Sequence, residues 1–307
     1  MSKHNFRGII PPIVTPINVD RTVDHDGLKT LVEHLINAGV NGIFALGSSG
    51  QVAYLSDEER LAIVKTIVAA TAGRVPVIAG AMDLSAHSVI RSAQAFVEAG
   101  ADAIVITPPL YTINDENEVA NHFRAVAKSI SVPLFAYDIP VRAHKKLSAS
   151  LLVQLGKEGV IVGVKDSSGD DVGFRRLIAL NRAAGSPLTL LTGHEVVVDA
   201  MGLAGADGAV PGLANVDAAS YVRLWKAIEA RDFEAAVKEQ EFINSLFEIV
   251  FCPKGRSGDA TGIGAFKVAM AARGLLSSAT NTAPIQDLDA PTVAAIEHIV
   301  RDLGLVA

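Results

Sequence analysis

Hydrophobic and polar positions follow a repeating unit along most of the chain. A helical pattern closes on Ala-Gly or a similar cap, two residues follow, and a short apolar run begins. Ala38-Gly39-Val40-Asn41 leads into Gly42-Ile43-Phe44-Ala45-Leu46, and Ala99-Gly100-Ala101-Asp102 into Ala103-Ile104-Val105-Ile106. Ala204-Gly205-Ala206-Asp207 leads into Gly208-Ala209-Val210, and Glu158-Gly159 into Val160-Ile161-Val162-Gly163-Val164-Lys165. Glycine just past a helix end suits the left-handed cap. A run that is apolar throughout suits a strand buried on both faces, as in a parallel sheet. The pattern predicts eight strands, at 9–15, 42–46, 75–80, 103–107, 132–138, 160–165, 188–192 and 207–210. It predicts helices between them at 26–38, 57–71, 86–99, 114–129, 148–157, 170–184 and 195–203. Ser56 and Asp57 ahead of Glu59 mark one helix start. Eight alternating units point to a closed (β/α)8 TIM barrel rather than an open sheet.

From Ala218 onward the strand signal stops, and 218–230, 232–250, 263–273 and 290–303 read as helices. The first serves as the last helix of the barrel. This divides the chain into a catalytic barrel at 1–230 and a C-terminal helical extension at 231–307, packed on the barrel or on a neighbouring subunit. Phe251-Cys252-Pro253-Lys254-Gly255-Arg256-Ser257-Gly258 interrupts the tail and reads as a solvated connection.

Composition narrows the class. The 307 residues are 50% hydrophobic and 20% charged, enough for one large core or two ordinary domains. A net charge of -6 without a block of like charges argues against a nucleic-acid partner. Cys252 is the single cysteine, so no internal disulfide forms and a reducing, cytoplasmic setting is expected. Residues 1–8 carry no apolar signal core, and no apolar run is long enough to span a membrane. The histidines show no metal-ligand spacing, so neither a metal nor another cofactor is expected.

In such barrels the reactive groups gather at the C-terminal ends of the strands. The sixth strand ends on Lys165, followed by Asp166-Ser167-Ser168-Gly169. A buried ammonium is costly unless paired or neutral, and burial favours the free amine. Lys165 is therefore either a Schiff-base lysine or a structural one paired with Asp166. The second strand ends in Gly47-Ser48-Ser49-Gly50-Gln51, whose glycines expose N–H groups beside two hydroxyls. That suits a small carboxylate, and it also suits a plain polar turn. The fifth strand closes on Tyr137, either a proton relay or a core aromatic, with Arg142 in the following loop. Arg142 has the fork that grips carboxylates, or is simply a surface arginine. Tyr111 lies past the fourth strand, Glu195 past the seventh in Thr192-Gly193-His194-Glu195, and Val210 closes the eighth. An amine, two tyrosines, a hydroxyl pair and an arginine on one rim suit imine chemistry on a 2-oxo acid, with the protonated imine as electron sink.

With these residues the sequence resembles the dihydrodipicolinate synthase / N-acetylneuraminate lyase family of pyruvate-dependent class I aldolases. The resemblance runs from Gly8-Ile9-Ile10-Pro11-Pro12 to the helical tail. The family's Gly-Ser/Thr-Thr-Gly-Glu is matched by Gly47–Gln51, its Tyr-Asn-x-Pro by Tyr137-Asp138-Ile139-Pro140, and its Gly-x-Lys-Asp/Glu by Gly163–Asp166. The resemblance implies that Lys165 forms the Schiff base, that Tyr137 moves protons, and that Ser48 and Ser49 bind the carboxylate and relay protons. It implies that Tyr111 acts across a dimer interface and that Arg142 binds the carboxylate of an aldehyde substrate. Gly47, Val210 and Glu195 complete the expected substrate-binding set. A homotetramer built from dimers is implied as well.

Departures bear on the substrate. Gln51 replaces the usual acidic residue, Asp138 the commoner Asn, and Ala143-His144 the usual Thr-Gly. Gly193-His194-Glu195-Val196 lacks the Asp-Glu pair of sialic acid lyases, and Leu84 and Ser88 stand where a lysine-feedback site has Asn and Glu. The expectation is a Schiff-base lyase joining pyruvate to an aldehyde or running the reverse, most like 4-hydroxy-tetrahydrodipicolinate synthase. The alternatives are a 2-keto-3-deoxy sugar-acid aldolase or dehydratase, or an N-acetylneuraminate lyase-like enzyme. A barrel that binds a 2-oxo acid without turnover ranks last.

Overall fold

A computed structural model describes residues 5–306. Residues 1–4, on which the reading of the N-terminus partly rests, lie outside the described residues. The strands are β1 (Gly8–Ile9), β2 (Ile43–Ala45), β3 (Val77–Gly80), β4 (Ala103–Ile106), β5 (Leu134–Asp138), β6 (Gly163–Asp166), β7 (Thr189–Thr192) and β8 (Gly208–Ala209). They form one parallel sheet in the order β1-β8-β7-β6-β5-β4-β3-β2. Its two ends meet. Asn41 N donates to Ile9 O at 2.7 Å, Phe44 N to Pro11 O at 2.9 Å and Ile13 N to Phe44 O at 2.9 Å. The sheet is thus a barrel, as the eight-unit pattern predicts. The first strand is shorter than the predicted 9–15 because Pro11 and Pro12 have no N–H to give a ladder.

Helices cover the outside: α1 (His25–Ala38), α2 (Asp57–Thr71), α3 (Ala86–Glu98), α4 (Glu116–Ala127), α5 (Pro140–Ala143), α6 (Ala149–Lys157), α7 (Asp171–Ala183), α8 (Val198–Ala204) and α9 (Ala218–Ala230). The capping box read from Ser56 and Glu59 forms, with Glu59 N donating to Ser56 Oγ at 3.2 Å and Ser56 N to Glu59 Oε2 at 2.7 Å. Two differences from the predicted pattern concern the site. A short unpredicted helix, α5, starts on Pro140, whose fixed φ suits a first helical turn. And α8 starts at Val198 instead of 195, which leaves Glu195 in the loop above the barrel.

Side chains alternate between the lumen and the helices along each strand. Phe135 fills the lumen beside Gly163, where an added Cβ would stand 2.3 Å from Phe135 Cε1. Phe6 seals the opposite end by meeting the Phe135 ring edge-on at 5.3 Å. The lumen is therefore packed below the rim and open only at the C-terminal ends of the strands.

The tail comprises α10 (Phe233–Phe247), α11 (Ala265–Ala272) and α12 (Ala290–Asp302). Ile243, Leu246, Ile249, Val268, Met270, Ile296 and Val300 belong to the same buried cluster as the barrel side chains. Full burial of such a side chain stabilises by about 1.5–3 kcal/mol, so the tail is held firmly enough to shape the rim. Among the described residues no helix is long and apolar enough to cross a membrane.

Candidate active site

The register of β5 against β6 sets Tyr137 opposite Lys165 and Asp138 opposite Asp166. Alternation then sends the first pair into the lumen and the second toward the helices. Lys165 Nζ donates to Tyr137 Oη at 3.1 Å and lies 4.7 Å from the Phe44 ring centroid. Both residues are buried, at 5% and 2% exposure. The ion pair considered between Lys165 and Asp166 does not form. Asp166 faces outward, where Lys146 Nζ lies 3.1 Å from its Oδ2 and also reaches Asp138. Burial, with Asp166 nearby, pushes the Asp138 carboxyl up to about 6 despite the hydrogen bond from Lys146. Lys146 therefore clamps the outward faces of the two strands whose inward faces carry Tyr137 and Lys165.

The Tyr137 hydroxyl is a meeting point. Burial pushes its pKa up. The Lys165 charge and hydrogen bonds with Ser48, Lys165 and Ser167 outweigh that and hold it below the usual tyrosine range. Ser48 comes from the turn after β2, where Gly47 is required because an added Cβ would stand 2.8 Å from Phe44 Cε1. Ser49 and Glu195 flank Gly212, where an added Cβ would lie 3.2 Å from both Ser49 Oγ and Glu195 Oε1. Glu195 Oε2 accepts from Leu213 N at 2.5 Å. Burial pushes the Glu195 carboxyl up to about 7, against the opposing pull of the Leu213 amide and the Lys165 charge.

Two cavities open from this point. An inner one of about 80 Å³ is lined by Ser48, Tyr54, Thr107, Tyr137, Arg142 and Asp259, among others. An outer one of about 470 Å³ continues past Ser49, Arg142, Glu195 and Asp259 to Lys254, Thr261 and Phe266 of the tail. The loop expected to be a solvated connection thus roofs the site. Asp259, the first residue past it, takes both arms of Arg142, with Nη1 at 3.4 Å from Oδ2, and accepts from Tyr54 Oη at 2.6 Å. Arg142 stands at the cavity, but its fork is occupied by this carboxylate. Val210 is 3% exposed and lines neither cavity. Tyr111 is 89% exposed, has a left-handed φ of 73°, and lines neither cavity of its own chain.

Sequence reasoning missed Ser167, Tyr54, Asp259, Lys146 and Lys267. The last lies behind the Gly47–Gln51 turn, fully buried. Lys267 Nζ donates to Gln51 Oε1 at 2.8 Å and to Thr280 O at 2.9 Å. Gln51, noted above as a departure, is thus a neutral partner for a buried amine. Burial pushes Lys267 down to about 7, with Asp287 raising it and Arg21 lowering it. For a lysine whose folded pKa is depressed, the unfolded chain holds more protons between the two values. Stability should therefore rise with pH from about 7 towards the ordinary 10.5. Urea unfolding at neutral pH and at roughly pH 9.5 should show a gain on the order of 2 kcal/mol from this group. Gln51→Glu supplies a counter-charge and should abolish that gain. A Gln51→Glu chain with the same pH slope as the unsubstituted protein would refute the assignment.

Residues 5–303 match the family described as the dihydrodipicolinate synthetase family. Among curated proteins, an uncharacterized DapA-like lyase of Halobacterium salinarum is 32% identical over 302 residues, covering 98% of this chain and 95% of the relative. The 4-hydroxy-tetrahydrodipicolinate synthase of Jannaschia sp. is 30% identical over 302 residues, covering 98% of this chain and 100% of the relative. Among solved structures, YagE, a prophage protein of E. coli K12 belonging to the dihydrodipicolinic acid synthase family and solved in complex with pyruvate, superposes with a TM-score of 0.92. It is 29% identical, over 98% of this chain and 99% of that one. Dihydrodipicolinate synthase from Bacteroides thetaiotaomicron gives a TM-score of 0.91 at 27% identity, over 98% and 99% of the two chains.

Proposed function

The chain belongs to the dihydrodipicolinate synthetase family of pyruvate-dependent class I lyases, and from that premise we propose that Lys165 forms a Schiff base with pyruvate and joins it to, or releases it from, an aldehyde. One observation carries this reading: a buried amine, without an ion-paired carboxylate, 3.1 Å from a tyrosine hydroxyl at the open end of the barrel. The amine adds to the keto carbon of pyruvate. Proton transfers through Tyr137 take the carbinolamine oxygen off as water and leave a protonated imine. Loss of a methyl proton gives the enamine. Its carbon attacks the aldehyde carbon, and the aldehyde oxygen takes up a proton. Water then hydrolyses the imine and restores the amine. Ser48 and Ser49, with the N–H groups of their turn, hold the pyruvate carboxylate. The reverse sequence cleaves the same bond.

On the synthase-like reading the first aldehyde to test is one that carries a carboxylate, such as aspartate semialdehyde. A second reading, formation or cleavage of 2-keto-3-deoxy sugar acids, is favoured by one observation: the Arg142 fork is already filled by Asp259. The homotetramer belongs to the same proposal. Its support is the exposure of Tyr111 and Ile113, two residues apart on the loop after β4. The test of the imine is direct. Pyruvate plus sodium borohydride should add the mass of one reduced pyruvate to the peptide carrying Lys165. An unmodified Lys165 after saturating pyruvate would reject the reading.

A further inference from the structure

The acceptor aldehyde must reach the enamine carbon through the space that Asp259 and Arg142 share, since both line the inner and the outer cavity. Asp259 is the better buried partner, with its side chain 7% exposed against 44% for Arg142. It sits between two donors, the guanidinium and Tyr54 Oη. A substrate carboxylate seeking Arg142 would either lie beside this buried carboxylate or displace it. The first sets two like charges within a few ångströms of each other. The second leaves the buried Asp259 carboxylate with a single hydroxyl donor and no counter-charge. Glu195 adds another carboxyl to the outer cavity. The remaining cation on its lining, Lys254, is exposed at its edge.

A neutral hydroxylated aldehyde meets neither obstacle. Its hydroxyls donate to Asp259, Glu195 and Thr261 Oγ1, whose own proton goes to Gly258 O, and accept from Ser49, all of which line the cavities. Resting on the imine reading above, we propose that Asp259 is a specificity-determining residue. By occupying Arg142 it turns away acceptor aldehydes that carry a carboxylate and admits neutral polyhydroxylated ones. Such discrimination works by leaving the wrong partner's charge unmatched, as much as by contacts to the right one.

The experiment measures kcat/KM for D-glyceraldehyde and for succinate semialdehyde at saturating pyruvate, following pyruvate consumption. Trapping of the pyruvate adduct on Lys165 is measured in parallel. The unsubstituted protein should favour glyceraldehyde by at least about tenfold. Asp259→Asn, which removes the charge and frees Arg142, should move that ratio at least about tenfold toward succinate semialdehyde while the adduct still forms. Should the asparagine variant not fold, judged by circular dichroism, Asp259→Ala takes its place. A protein that prefers succinate semialdehyde before any substitution overturns the proposal, whatever the variants do. So does a ratio that stays put when Asp259 is replaced and the adduct persists. Absence of the adduct in the unsubstituted protein instead overturns the imine reading on which this one rests.

Discussion

Lys165→Ala is expected to remove the borohydride-trapped pyruvate adduct and to lower turnover by at least about 10⁴-fold, because the covalent route is lost rather than weakened. Lys165→Arg should be equally inactive although it keeps the positive charge, since a guanidinium does not lose its proton at working pH and is a poor nucleophile. The two variants together separate the role of the amine from that of the charge. Neither should unfold the barrel. Lys165 gives its hydrogen bond to Tyr137 Oη and is ion-paired to no carboxylate, and the buried carboxyl its charge does reach, Glu195, is held up to about 7 by burial and can take a proton when the amine is gone. Far-ultraviolet circular dichroism and the urea midpoint check that point. The alternative nucleophile is Lys267, the other buried lysine among the described residues, with a pKa pushed down to about 7 by burial. Its side chain is sealed from solvent behind Gln51 and Thr280, so pyruvate has no path to it. A persistent adduct mapped to Lys267 in Lys165→Ala would reverse the assignment.

The difference between these two lysines shows what could be read along the chain and what could not. Lys165 was legible because its strand is apolar up to the last residues, and strand ends are where barrels keep their chemistry. Tyr137 was legible for the same reason, one strand earlier. The outward fate of Asp166 follows from alternation alone, once the register is known. Lys267 sits in the middle of an apolar helix, Phe266-Lys267-Val268-Ala269, and nothing local says that it turns inward onto Gln51. Asp259 is 117 residues from Arg142 and 205 from Tyr54. That contact exists only because the tail folds back over the rim, and a glycine-rich basic loop looks like a connection until its position is known. Glu195 was named from its place after a strand, but the helix predicted to start on it starts later. The carboxyl is captured by the Leu213 amide at 2.5 Å and stays in the loop. Local pattern fixed strands and strand ends. The pairs that close the rim are long-range and depend on how the tail packs.

Tyr137→Phe is expected to slow turnover by about 10²–10³-fold, the scale on which a positioned proton relay acts. The substitution removes one oxygen and little else. The ring still meets Phe44 edge-on, at 6.1 Å and 80° in the present structure, so the wall of the lumen is kept. The amine survives as well, and prolonged incubation with pyruvate should still yield the Lys165 adduct, only more slowly. That split between slow formation and unchanged extent distinguishes a relay from a residue that merely holds the lysine in place. The pH dependence gives a second readout. The Lys165 charge and the hydroxyls of Ser48 and Ser167 outweigh burial and hold the Tyr137 hydroxyl below 10.0. Above that lowered value the phenol can no longer donate, so kcat/KM should fall on the alkaline side at a pH below the ordinary tyrosine range. The phenylalanine variant has no such proton to lose, and its alkaline limb should flatten. If instead the variant keeps the limb at its original position and merely scales the rate, the titrating group is another residue and Tyr137 is a wall rather than a relay.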